Sequence, residues 1–314
     1  MTYLLLAVGS LLLVIGAEFL VRGGVSLAQR LGVTPLLIGL TVVAFGTSAP
    51  ELFVSVDAAL AGSSGIAVGN VVGSNIINVL LVLGMVGLVA PIPLARRTTL
   101  RDIGLALAAS ALFLVVGWTS DAIRWGQGLV MLGLLAVIGF HTYRQERLSD
   151  AEAKDLEAPY RSLGAILLAI AAGLGLLVGG ARLLVESSIA IARDFGISEA
   201  VIGLTLVAGG TSLPELVTSV VAALRGRTDI SVGNILGSNI SNLLLILGTA
   251  SQFGTLPVPP EIMGFDAWVM LAATAVLLPP TLLGGRLGRL WGLLFLAGYG
   301  AYLHALYLGQ VSPS

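Results

Sequence analysis

The stretch from Ile38 to Gly84 reads IGLTVVAFGTSAPELFVSV and, after a short interval, IAVGNVVGSNIINVLLVLG. It realigns on Ile202 to Gly248, IGLTLVAGGTSLPELVTSV and ISVGNILGSNISNLLLILG, at a constant offset of 164 without a gap. Thirty-one of the 47 positions are identical, and they include Thr, Ser, Pro, Glu and Asn, so apolar composition alone does not produce the match. A fold for this chain must accommodate two copies of one unit.

Those units are too apolar for water. Hydrophobic residues make up 56% of the 314 residues and charged ones 11%, with a mean hydropathy of +1.00, a balance that suits a lipid-facing exterior. A spanning helix needs about 20 mostly apolar residues. Runs of that kind occupy 3–21, 33–61, 66–90, 102–119, 126–143, 163–185, 197–224, 230–253, 264–282 and 289–308. The expectation is an all-α integral membrane protein with ten transmembrane helices. One repeat then holds five spans, an odd number, so the second copy enters the membrane from the opposite face and the architecture is two inverted five-helix repeats. The division is 1–143 for the first repeat, 144–162 for a solvated cytoplasmic linker of mixed charge, and 163–314 for the second repeat. The first run lacks the basic flank of a signal peptide and is read as a span.

Basic residues set the orientation. With the N-terminus outside, 13 of the 16 fall on inward-facing breaks and only Arg124, Arg182 and Arg193 do not, so both termini are expected outside a cell membrane. A net charge of −1 and the lack of a basic tract give no handle for nucleic acid, and the absence of cysteine excludes disulfides and thiolate metal sites. The partners expected are therefore the bilayer and small ions, and nothing in the chain calls for a second subunit.

Each repeat carries GTS-x-PE in the middle of an apolar span: Gly46, Thr47, Ser48, Pro50 and Glu51, then Gly210, Thr211, Ser212, Pro214 and Glu215. A carboxylate at such a depth costs at least a few kcal/mol and marks a functional position by default. Each proline frees the carbonyl four residues earlier, that of Gly46 or Gly210, which a cation can satisfy. The next span adds GN-x-x-GSN-x-x-N. There Ser74 and Asn78, and likewise Ser238 and Asn242, share a helix face at a spacing of four. Asn70, Asn234 and the glycines fit close helix packing as well as they fit a site. The inventory is oxygen only, which suits hard cations such as calcium or sodium and argues against zinc and copper. Glu18 with Arg22, and Arg182 with Glu186, read as helical ion pairs, and Asp57 as peripheral.

The paired GTSAPE and GTSLPE motifs with their GSN segments resemble the alpha-repeats of the calcium/cation antiporter superfamily, most closely the prokaryotic sodium/calcium exchangers. The resemblance implies that Glu51 and Glu215 bind calcium together with backbone oxygens of Thr47 and Thr211. It implies overlapping sodium sites drawing on Ser48, Ser212, Ser74, Ser238 and the carbonyls of Ala44 and Ala208, with Asn78 and Asn242 at the middle. It further implies exchange by alternating access, in which the first helix of each repeat slides across a fixed midplane site, with no cofactor beyond the transported ions. Some relatives have aspartate where this chain has Asn242, and Gly209 stands where the first repeat has Phe45. Two other readings are a proton-coupled calcium exchanger, whose usual GN-x-x-E motifs differ from GTS-x-PE, and a cation channel. No nucleophile and base pair, nucleotide loop or redox ligand set suggests an enzyme.

Overall fold

The apolar runs fold into helices. The structure, a computed structural model, describes residues 2–148, 156–195, 208–283 and 285–311. In chain order the helices are α1 (Thr2–Leu31), α2 (Pro35–Thr47), α3 (Ala49–Leu60), α4 (Ser64–Val89), α5 (Arg96–Ser120), α6 (Trp125–Gln145), α7 (Leu163–Asp194), α8 (Leu213–Leu224), α9 (Thr228–Phe253), α10 (Ile262–Leu283) and α11 (Arg289–Val311). Among the described residues, eight helices are long and apolar enough to cross a membrane, and α2 with α3, bent by 47° where they meet, passes the same test only when the pair is taken together. Of the expected span 197–224, residues 208–224 are described, as a short turn at Ala208–Gly210 and α8. Its beginning, and residues 149–155 of the linker, lie outside the described residues.

Local sequence sets the boundaries. Gly32 turns the chain after α1 at φ +63, a left-handed conformation that glycine adopts without a Cβ clash. Thr34 then caps α2, its hydroxyl accepting from the Leu37 amide at 3.3 Å, with Pro35 at the first helical position, where no N–H is needed.

Burial ranks the helices. In the most apolar stretch of α9, 94% of residues are buried, and in α4 78%, against 17% in α6 and 11% in α11. The two helices bearing GSN therefore form the centre, while α6 and α11 face outward. Glycines bring backbones together, as small residues do where lipid gives no hydrophobic drive for helix association. Gly9 of α1 meets the backbone of Gly180 on α7, and Gly16 meets that of Gly173, each so closely that a Cβ would come within 2.8–2.9 Å of a carbonyl oxygen. Gly233 likewise sets α9 against Leu36 of α2.

Among the described residues four two-residue strands join the loops: β1 (Ile92–Pro93), β2 (Ala122–Ile123), β3 (Leu256–Pro257) and β4 (Arg286–Leu287). β1 pairs antiparallel with β4, and β2 with β3. Shifting β1 by the repeat offset gives β3, and shifting β2 gives β4, so the repeat relation extends beyond the identities visible in the sequence. Since β1 and β2 flank the two ends of α5, equivalent strands lie at opposite ends of the bundle.

The start of the linker departs from the solvated reading. Glu146 is 4% exposed, accepts from Arg101 Nη1 at 2.7 Å and from Thr34 Oγ1 at 2.7 Å, and its carbonyl accepts from the Thr34 amide at 3.0 Å. Charge composition marks a segment as polar but does not reveal that α5 offers a guanidinium to bury against. The described far end docks too, with the Tyr160 amide donating to Ser26 Oγ and Gln29 Nε2 to the Leu156 carbonyl.

Candidate functional site

The bend between α2 and α3 falls at Ser48 (φ −82, ψ 7), and Ser212 adopts the same conformation (φ −87, ψ 5) ahead of α8. The prolines therefore sit inside the first turn of a new helix rather than in the middle of a broken one, because that turn needs no amide from them. This places the break at the serines, between the glycines and the prolines. It also places Glu51 and Glu215 in the first turns of α3 and α8, where the helix dipole favours negative charge.

Both carboxylates are 1% exposed. Ser48 Oγ donates to Glu215 Oε1 at 2.9 Å, and Ser212 Oγ donates to Glu51 Oε1 at 3.4 Å. Each serine thus serves the glutamate of the other half. Behind them, Asn70 Nδ2 donates to the Glu51 carbonyl at 3.1 Å and to Ser55 Oγ at 3.0 Å. Asn234 Nδ2 does the same to the Glu215 carbonyl at 3.5 Å and to Ser219 Oγ at 3.0 Å. These asparagines anchor the backbone of the carboxylate-bearing turns, and Asn234 also accepts from Thr47 Oγ1 at 3.1 Å.

The GSN segments meet at the centre. Ser74, Ser238, Asn78 and Asn242 are all buried, and the Ala44 carbonyl accepts from Thr47 Oγ1 at 3.3 Å and from Ser238 Oγ at 3.5 Å. Thr211 lies in the second break, and Ala208 opens the turn before it. Asn78 and Asn242 each begin a π-helical segment, Asn78–Leu83 and Asn242–Ile246, a local widening that recurs at functional positions.

Among the described residues of this region Thr211 Oγ1 is buried without a hydrogen-bond partner, and so are four acceptor oxygens: Glu51 Oε2, Glu215 Oε2, Asn78 Oδ1 and Asn242 Oδ1. Two come from each half, in equivalent positions. Unpaired buried acceptors are costly and rare. A set of four, two of them carboxylate, is chemically complementary to a hard cation. Among the described residues no three His, Cys, Asp or Glu side chains gather into a metal cluster, so the acidic charge here is confined to the two glutamates.

Several residues of this region carried no separate role in the sequence reading: Ser55, Ser219, Asn75 and Asn239. All four are identical between repeats, which was the available signal. Asp57, without an acidic counterpart, is exposed on α3. Gly209 borders a cavity of about 190 Å³ that also touches Ile77, Ser188 and Ser212, whereas Phe45 is 53% exposed on the outer surface.

The family profile described as sodium/calcium exchanger protein matches residues 1–143 and 165–308. CaxA of Alkalimonas amylolytica is 38% identical over 309 residues, covering 96% of this chain and 97% of that protein. The sodium/calcium exchanger MaX1 of Methanosarcina acetivorans is 34% identical, covering 97% and 98%. The solved structure of the sodium-calcium exchanger NCX_Mj, soaked with sodium and calcium, superposes with a TM-score of 0.84 at 32% identity, covering 97% of this chain and 98% of that one.

Proposed function

Because the chain belongs to the sodium/calcium exchanger family, a family of membrane antiporters, we propose that it exchanges sodium for calcium by secondary active transport at a midplane site shared by the two ions. The four unpartnered oxygens of Glu51, Glu215, Asn78 and Asn242 carry this reading. Calcium takes the two carboxylates, which balance its charge, with backbone oxygens of Thr47 and Thr211. Sodium ions use overlapping positions that draw on Ser48, Ser212, Ser74, Ser238 and the carbonyls of Ala44 and Ala208. Ions that share ligands cannot bind together, and that competition couples their movements.

The ten-helix reading, two inverted five-helix repeats over 1–143 and 163–314 with a linker at 144–162, is supported by the strand pairs, whose repeat-equivalent members lie at opposite ends of the bundle. A site shared between inverted halves suits alternating access. The glycine contacts make α1 and α7 a natural moving pair against the helices that hold the site. The site is complete within one chain, which supports a functional monomer. The arginine distribution supports insertion in the cell membrane with both termini outside.

The test uses purified protein in sodium-loaded liposomes diluted into sodium-free buffer with radioactive calcium. Uptake that requires internal sodium supports the proposal. Uptake driven instead by a proton gradient assigns the chain to proton-coupled exchange, and uptake needing no counterion gradient indicates a channel.

A further inference from the structure

At the centre of the bundle four carboxamides, all 1% exposed, bond to one another across the two halves, and Asn75 Nδ2 also reaches Met270 Sδ at 3.7 Å. Asn75 Nδ2 donates to the Asn239 carbonyl at 3.1 Å, and Asn239 Nδ2 donates to the Asn75 carbonyl at 3.2 Å. Asn78 Nδ2 donates to Asn239 Oδ1 at 3.0 Å, and Asn242 Nδ2 donates to Asn75 Oδ1 at 3.0 Å. A carboxamide can turn by half a rotation and exchange its oxygen for its nitrogen, so its polarity must be set by its partners. Here the setting group is a backbone carbonyl, which only accepts. It draws the Asn75 and Asn239 nitrogens toward itself and turns their oxygens toward Asn242 and Asn78. Those oxygens also only accept, so the second pair presents nitrogen to them and leaves its own oxygens free.

We propose that Asn75 and Asn239 are positioning residues that fix the polarity of the Asn242 and Asn78 carboxamides, so that a bound cation meets two oxygens rather than two NH2 groups. This rests on the reading of the region as a cation site. Neither residue touches the ion. Each acts through one asparagine of the opposite half, and two backbone carbonyls thereby determine the ligand character of two side chains. An NH2 group turned inward would replace an attraction with a repulsion, so loss of the orientation weakens cation binding without abolishing it.

The experiment is a double-mutant cycle read by calcium titration calorimetry on the full chain in detergent, with KM and kcat for sodium-driven calcium uptake as the second readout. Asn239→Leu removes the acceptor that holds Asn78. In the otherwise natural chain it raises Kd and KM for calcium by about tenfold, with kcat changed less. In the Asn78→Asp background the side chain offers oxygen whichever way it turns, so adding Asn239→Leu changes Kd by less than about threefold. An equal loss in both backgrounds would show that Asn239 only packs α9 against α4, and would overturn the proposal. If the leucine variant is not recovered as a monodisperse protein, Asn75→Leu with and without Asn242→Asp runs the same cycle through the opposite half, and an equal loss in both backgrounds overturns the proposal. Glu51→Gln, run alongside, separates the two ideas. If it leaves calcium binding intact, the cation site itself is wrongly placed. If it abolishes binding while the cycle shows no coupling, only the positioning role fails.

Discussion

Ser48 reaches Glu215 and Ser212 reaches Glu51 in the same manner, but Glu18 and its repeat equivalent are treated quite differently. Glu18 binds Arg22 on its own helix at 2.5 Å and Arg225 at the end of α8 at 2.8 Å, with its side chain 21% exposed. The equivalent pair, Arg182 with Glu186, is largely exposed, and the position equivalent to Arg225 is Ala61. Near Arg225 the described linker residue Glu157 lines an open cavity of about 400 Å³ with Glu18, Arg22 and Arg227. The repeats thus remain alike where they share one set of partners at the centre, and diverge where their ends meet different surroundings. A substitution at the centre should therefore act in both halves, in proportion to the bond it removes, whereas one at the ends should act in one half only.

The largest test of that equivalence is Glu51→Gln against Glu215→Gln. Each is expected to lower calcium uptake by more than about a hundredfold, since each removes one of two charges from a buried divalent site. A variant that keeps a tenth of the activity would break the equivalence. Next come the equivalent pair Gly16→Leu and Gly180→Leu, which force α1 and α7 apart where an added Cβ would meet backbone at 2.8–2.9 Å. Both should lower the unfolding temperature in detergent and the recovery of monodisperse protein, because overpacking costs about 1–3 kcal/mol or more. Below these stand Ser48→Ala and Ser212→Ala. A hydrogen bond to a carboxylate contributes about 1.5–3 kcal/mol, and the Ser48 bond is the shorter, 2.9 against 3.4 Å. Calcium KM should rise more for Ser48→Ala, and equal KM values would show that the difference in length has no energetic counterpart. The smallest effects belong to the ends. Arg225→Ala should lower the unfolding temperature slightly and measurably, and Arg182→Ala not at all, because exposed ion pairs contribute little. If the two arginines prove equal, the divergence of the ends has no bearing on stability.

Much of the centre is legible in the sequence because its residues are duplicated without a gap. Glu51, Ser48 and Asn78 each have a twin that apolar composition cannot supply, and the proline in GTS-x-PE announces a helix break. The exact break is less legible. Proline locates a helix start only to within a turn, so Ser48 and Ser212 emerge as bend residues from the structure alone. The π-helical turns at Asn78 and Asn242 leave no mark on hydropathy. The polarity of the four carboxamides depends on which carbonyl lies across the two-fold relation, a contact that spacing along one helix cannot express. Glu146 was hidden for a similar reason: a charged residue in a mixed-charge linker reads as solvated until the guanidinium of Arg101 is found beside it.

One cation site built from both halves and shared by two ions has a distinct binding signature. Its most direct test is equilibrium calcium binding to the purified chain, titrated at increasing sodium, for the natural sequence and for Glu51→Gln and Glu215→Gln separately. One calcium should bind per chain, with an apparent Kd that rises with sodium until calcium is displaced, and binding should be lost in either variant. Calcium binding that persists in one variant, or that is indifferent to sodium, would contradict it.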